Sequence, residues 1–173
     1  MPVYYSNSFF ALLAVLVCMP GVCFAQTEVE QERSSLRGLD GMGFTVNVEQ
    51  NTAFADTQLV KIDAVKQKAM QELEAANVNI FDDRKVQRSI RVPLLYMHIN
   101  VLSTRTGIIS FAITVNLYQP VKLVLNQDLE TTASTWEDTI VGIATYDKIG
   151  VIEQAVVGMI QNFIDDYNKV NTN

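Results

Sequence analysis

His98 is the single histidine of the chain, and a lone imidazole can serve as a general acid or base but cannot build a multi-histidine zinc site. It stands between Tyr96 and Asn100 in a run that alternates apolar and polar residues, which places it on the polar face of a strand. A hydrolase or lyase would have to pair it with a carboxylate from another strand. No serine occupies a nucleophile-elbow pattern, and Asp56-Thr57 and Asp138-Thr139 lack the glycine that follows in aspartic-protease loops. The neighbouring acids Glu137-Asp138 and Asp165-Asp166 diverge on a strand or a helix alike, so neither pair forms a dyad, and both are expected to be solvated. No catalytic residue, metal site or cofactor is assigned.

Two further clusters invite a chemical reading and fail it. Gly38-Leu39-Asp40-Gly41-Met42-Gly43 has the order G-x-x-G-x-G and precedes a strand, whereas a dinucleotide loop joins a strand to a helix. Arg84, Lys85, Arg88 and Arg91 are the one basic concentration, but Asp82 and Asp83 adjoin them, so a solvated loop is the simpler reading than a phosphate or headgroup site. With a formal charge of −6 the chain is a poor candidate for nucleic acid. At 49% hydrophobic and 18% charged residues it has the composition of a packed domain.

What remains is a surface. The alternation predicts strands near 44–49, 92–103 and 108–119, with a further β segment near 133–144. Thr104-Arg105-Thr106-Gly107 joins the second and third as a hairpin-type turn. Phe44, Val46, Val48, Met97, Ile99, Ile113 and Val115 fall on a covered face. The other face collects Tyr96, His98, Asn100, Thr114, Asn116 and Tyr118, flanked by Thr45 and Asn47. These side chains are largely uncharged and rich in hydrogen-bonding groups. Tyrosine among Asn and Thr suits recognition because it offers large contact area at low entropic cost, so the six residues are the candidate binding site.

The elements that position this face are a helix with the stripe Leu59, Ile62, Val65, Ala69, Leu73 and Ala76, capped by Asp56 or Thr57 and stopped at Asn77, and a closing helix over 148–168. The stripe of the closing helix includes Ile152, Val156, Met159, Ile160 and Phe163, and Asp147 is its expected cap. Pro120 precedes Val121–Leu125, which reads as a bent continuation of the strand or a short edge piece. The predicted fold class is α+β: a two-layer sandwich with a mainly antiparallel sheet, both helices on its apolar face, and the order βαβββα.

The chain's first 25 residues read as an export signal. An apolar run from Phe9 to Met19 is too short to span a membrane, Pro20-Gly21 breaks it, and Cys23-Phe24-Ala25 offers a small-residue cleavage site. Lipidation at Cys18 or Cys23 is the lesser alternative, because Val17 and Val22 precede them where a small residue is expected. Cleavage leaves Gln26–Ser35 as a flexible polar lead-in and 36–171 as one α+β domain without cysteine, disulfide or stable membrane span.

At Val92-Pro93-Leu94, Phe111–Gln119, Thr135-Trp136-Glu137, Phe163–Asn168 and Val170-Asn171 the chain resembles small exported bacterial proteins of unknown function. Its layout is more distantly similar to small α/β modules of envelope assembly machinery such as the amino-terminal domain of the Tol-system translocation protein. The resemblance implies a periplasmic or extracellular binding or assembly module whose partner is an envelope protein or small ligand. A small secreted hydrolase or lyase using His98 is the alternative.

Overall fold

The computed structural model describes residues 28–52, 58–87, 89 and 91–171. Period-two alternation builds four strands: β1 (Gly43–Asn51), β2 (Leu94–Ser103), β3 (Ile108–Leu123) and β4 (Asn126–Thr145). They form one sheet in the order β1-β2-β3-β4. β1 runs parallel to β2, and the other two pairs are antiparallel. A parallel pair needs a crossover, supplied here by α2 (Ile62–Ala75) and the short α3 (Asp83–Gln87). At the β2–β3 turn Gly107 adopts φ 86°, a conformation that favours glycine.

α4 (Gly150–Asn171) lies beside α2 on the covered face, its buried stripe being Ile152, Val156, Met159, Ile160, Phe163 and Ile164. These side chains meet Leu95, Met97, Ile99, Ile113, Val115 and Leu117 from β2 and β3 in one continuous core. The edge of Trp136 packs on Phe163 with ring centroids 5.1 Å apart. The fold is therefore an α+β layering with the helices on the apolar side of the sheet, as the sequence predicts. Asn77 ends α2 with φ 58°. The proposed caps Asp56 and Thr57 lie outside the described residues, as does the expected export segment 1–25. Asp147 sits in a 3-10 turn (Tyr146–Lys148) before α4 instead of capping it.

Two expectations change. Glu28–Ser35, expected as a flexible lead-in, is a helix, α1. It has no apolar stripe and is held by polar anchors: Arg33 Nε donates to Asp166 Oδ1 at 2.7 Å, and Ser35 Oγ donates to the Thr135 carbonyl at 2.9 Å. Asp166, expected to be solvated, thereby joins a partly buried cluster in which Trp136 Nε1 also donates to it at 3.2 Å. Burial alone would raise the Asp166 pKa, but the hydrogen bonds from Arg33 and Trp136 and the Arg33 charge outweigh it and lower the pKa. Of the two readings of the segment after Pro120, the continuation holds: β3 runs on through Pro120, which pairs with Thr132, after a register shift at Leu117/Tyr118. β2 pairs with β3 only as far as Tyr118, so at Pro120 one side of β3 has no neighbour within the sheet and the missing N–H removes no bond there.

Beyond Tyr118, β3 and β4 continue as a two-stranded arm that turns at Val124-Leu125. Val124 is 86% exposed and Leu125 fully so. Leu123 and Leu129 beside them are also exposed.

Candidate binding face

Strand pairing sets the geometry of the uncovered face. His98 is the direct partner of Thr114, Tyr96 of Asn116, and Leu94 of Tyr118. The six predicted residues thus share one face, with Asn100 one step along β2 opposite Ala112. Tyr96 contacts both His98 and Tyr118, at ring-centroid distances of 6.1 and 6.3 Å. Such tilted aromatic contacts fix side chains that would otherwise sweep freely over an open sheet. β4 completes the hydrogen-bonded row: Ser134 Oγ donates to Asn116 Oδ1 at 3.1 Å, and Thr139 Oγ1 to Thr114 Oγ1 at 3.3 Å.

β1 adds a residue that sequence reasoning leaves unnamed as a partner. His98 Nε2 lies 3.5 Å from Glu49 Oε1, with the parallel register placing Glu49 two residues past Asn47, the residue opposite His98. The contact is ionic in reach when the imidazole is protonated, but it does not form a hydrogen bond; Nε2 has no such partner among the described residues. The Thr114 hydroxyl, across from His98, meets Thr139 rather than the imidazole. The face therefore presents a histidine beside a carboxylate without an aligned nucleophile. No group of three or more His, Cys, Asp or Glu side chains able to hold a metal occurs among the described residues.

Toward the β2–β3 turn the character of the face changes. Asn100, Leu102, Ser110, Ala112 and Val141 line a shallow groove of 490 Å³ with Glu49 at its rim. Val141 and Ile143 on β4 are 75% and 77% exposed, and Leu102 and Ile108 are half exposed. The face thus has a Tyr/Asn/Thr end and an apolar end, and only the first is marked in the sequence. Ile140-Val141-Gly142-Ile143-Ala144 hides the second, since an unbroken apolar run does not say which of its residues face outward.

The other clusters disperse. Lys85 sits over the Phe81 ring, 3.2 Å from its centroid, and Arg91 Nη2 bonds Glu130 Oε2 on the arm at 3.1 Å. Arg88 lies outside the described residues. Asp138 accepts from Asn162 Nδ2 at 2.9 Å. The glycine run leads into β1 and not into a helix, so it is not followed by a helix start that could receive a phosphate.

No protein-family model matches the chain, and no curated protein does. A solved structure, a PelC dodecamer from Paraburkholderia phytofirmans carrying a point substitution, is similar over 73% of this chain and 89% of that one, at 15% identity and a TM-score of 0.36. A likeness of that size carries no argument about function.

Proposed function

We propose that the protein is an exported, non-enzymatic binding or assembly module of the bacterial envelope, working through the uncovered sheet face at Tyr96, His98, Asn100, Thr114, Asn116 and Tyr118. The observation that carries this reading is the linked aromatic row Tyr118–Tyr96–His98, set on a rigid sheet and left without a covering layer among the described residues. A partner docking there buries tyrosine rings whose conformations are already restricted, so little entropy is lost on binding. The partner is an envelope protein or a small ligand, and the export segment 1–25 supplies the route to it. No helix among the described residues is long and apolar enough to cross a membrane.

The contact of His98 with Glu49 favours a second reading, a small secreted hydrolase or lyase in which Glu49 orients the imidazole. That reading still needs a nucleophile or an enclosed substrate site next to His98, and the groove on this face lies toward Leu102 and Ala112. Tyr96→Ala and Tyr118→Ala are expected to weaken capture of the partner from envelope extract while both variants stay folded, the half-buried rings and their mutual contacts costing about 1 to 2 kcal/mol when removed. Capture unchanged in both variants would remove the face from the functional reading.

A further inference from the structure

β4 stands at the rim of the sheet, with β3 on one side and no strand on the other among the described residues. Edge strands are ordinarily protected against further pairing by lysine, proline or a bulge. β4 has no Lys, Arg or Pro in Asn126–Thr145, and its register shifts fall at Ser134–Trp136 and at the arm tip. α1 runs beside Thr135–Asp138: Ser35 Oγ bonds the Thr135 carbonyl, and Val29 and Glu32 line a cleft with Trp136, Glu137 and Asp138. The stretch left open is Thr139–Thr145, which contains no charged residue. Its exposed apolar side chains lie on both faces of the sheet, Val141 and Ile143 on the open face and Ile140 on the helix face. A partner laid on one face would cover only part of them. An unbroken apolar run is the pattern of a strand inside a sheet, and here it stands at the edge.

We infer that Thr139–Thr145 pairs antiparallel with the same segment of a second copy of this chain, joining two sheets into one. The segment's own sequence names the occupant. T-I-V-G-I-A-T reads nearly alike in both directions about Gly142, so a two-fold axis there sets Thr139 opposite Thr145, Ile140 opposite Ala144 and Val141 opposite Ile143, each pair occurring twice. Directly opposed residues of an antiparallel pair share a face, so Val141 and Ile143 cover one another on the open side and Ile140 meets Ala144 on the other. A foreign strand would ask for no such symmetry. Gly142 suits the centre: a Cβ there would lie 2.4 Å from the Phe111 ring, so the tip of that ring reaches over β4 toward the axis and its symmetry mate. Glu137 and Asp138 fall outside the paired stretch, so no like charges are opposed within it, whereas a register centred on either acid would set it against itself. Seven residues a side are fewer than the roughly 20 to 30 of a standard interface, so the pair forms by mass action as concentration rises and is held by main-chain bonds. A lipid surface is the unsuitable occupant, because the unpaired backbone N–H and C=O groups of the edge would enter hydrocarbon. The inference goes beyond the tyrosine face and does not depend on it.

The test uses the full chain carrying Cys18→Ser and Cys23→Ser, with Val141→Cys in one preparation and Ile143→Cys in another. Opposed residues of an antiparallel pair have Cα atoms about 4.5 to 5.5 Å apart, within disulfide reach, and diagonal ones are about 7 to 8 Å apart, beyond it. Mixing the two under mild oxidation is therefore expected to give a crosslinked dimer containing one of each chain, in a yield about tenfold above that of either preparation alone. In light scattering the parent is expected to pass from one chain to two as concentration rises. Val141→Lys is expected to weaken that dimer about tenfold and Ile143→Glu on the other chain to restore it, because the two side chains then face each other. Both positions are exposed, so each variant should keep the parent's unfolding midpoint in dilute solution. A mixed crosslink no stronger than that of the single preparations overturns the inference. So does a parent that stays monomeric at every concentration, or an assembly that grows beyond two chains, which would mean head-to-tail pairing of β4 with β1. If the crosslink fails while Tyr96→Ala still loses partner capture, the inference falls and the function proposed for the tyrosine face stands; a strong mixed crosslink with capture unchanged in the tyrosine variants does the reverse.

Discussion

The same pair of strands, β3 and β4, has two fates along its length. At its inner half Leu117 pairs with Trp136, whose ring meets Phe163 of α4 and whose indole N–H reaches Asp166. At its outer half Val121 pairs with Thr131 and Lys122 with Glu130, and apart from the half-buried Val121 these side chains meet solvent. Backbone pairing is alike in both halves. The difference is the layer above, so burial and not the ladder decides where the stability of this hairpin lies.

Substitutions probe that contrast, beginning with the greatest effect. Phe163→Ala removes a fully buried ring beneath Trp136 and is expected to destabilise by about 3 to 5 kcal/mol in denaturant titration. Asp166→Ala comes next, at about 1 to 2 kcal/mol, because it leaves Arg33 and Trp136 without their acceptor. A silent Asp166→Ala would restore the solvated reading and detach α1 from the fold's stability.

The sign of the pH effect separates the carboxylates of this region. Asp166 has a lowered pKa, so its contribution is fully present above the unfolded value near 3.8 and is lost as the pH falls through the folded pKa. Glu32 on α1 is shifted the other way, raised by burial first and then by repulsion from Glu137, Glu28 and Asp166. Its charge therefore opposes folding at neutral pH, and acidification relieves that opposition. Glu32→Gln should stabilise at pH 7, with the gain fading as the pH drops through the raised pKa of Glu32; a gain that persists once Glu32 is protonated in both states would assign the effect to packing instead. The smallest change is expected on the arm, where Leu125→Asn should leave the unfolding free energy within about 0.5 kcal/mol. A larger loss would show that the tip is packed and not displayed.

These regions differ in the same way in how far the sequence reveals them. The two faces of β2 and β3 are plain in the alternation from Leu95 to Leu117, because one-sided burial writes a period of two directly into residue types. The direction of β1 is not written there, since alternation is identical in parallel and antiparallel strands. The helix at Glu28–Ser35 is invisible to periodicity because its anchors, Arg33 to Asp166 and Ser35 to Thr135, are polar and distant in sequence. The returning strand of the arm is polar over most of Asn126–Thr132 and pairs without core contacts, so nothing in its composition marks it. Of the candidate site, the Tyr96–Tyr118 face is legible, whereas Glu49 beside His98 and the apolar end require the register.

Whether His98 works as part of a surface or as a chemical group decides between the two functional readings. Parent and His98→Ala proteins, each shown to be folded by its unfolding midpoint, should be compared for partner capture and for turnover of ester, phosphate and glycoside substrates. A binding face predicts a loss of capture no larger than that of Tyr96→Ala and no turnover that depends on the imidazole. A turnover present in the parent and abolished in folded His98→Ala, with capture intact, would contradict it and assign the Glu49–His98 pair to catalysis.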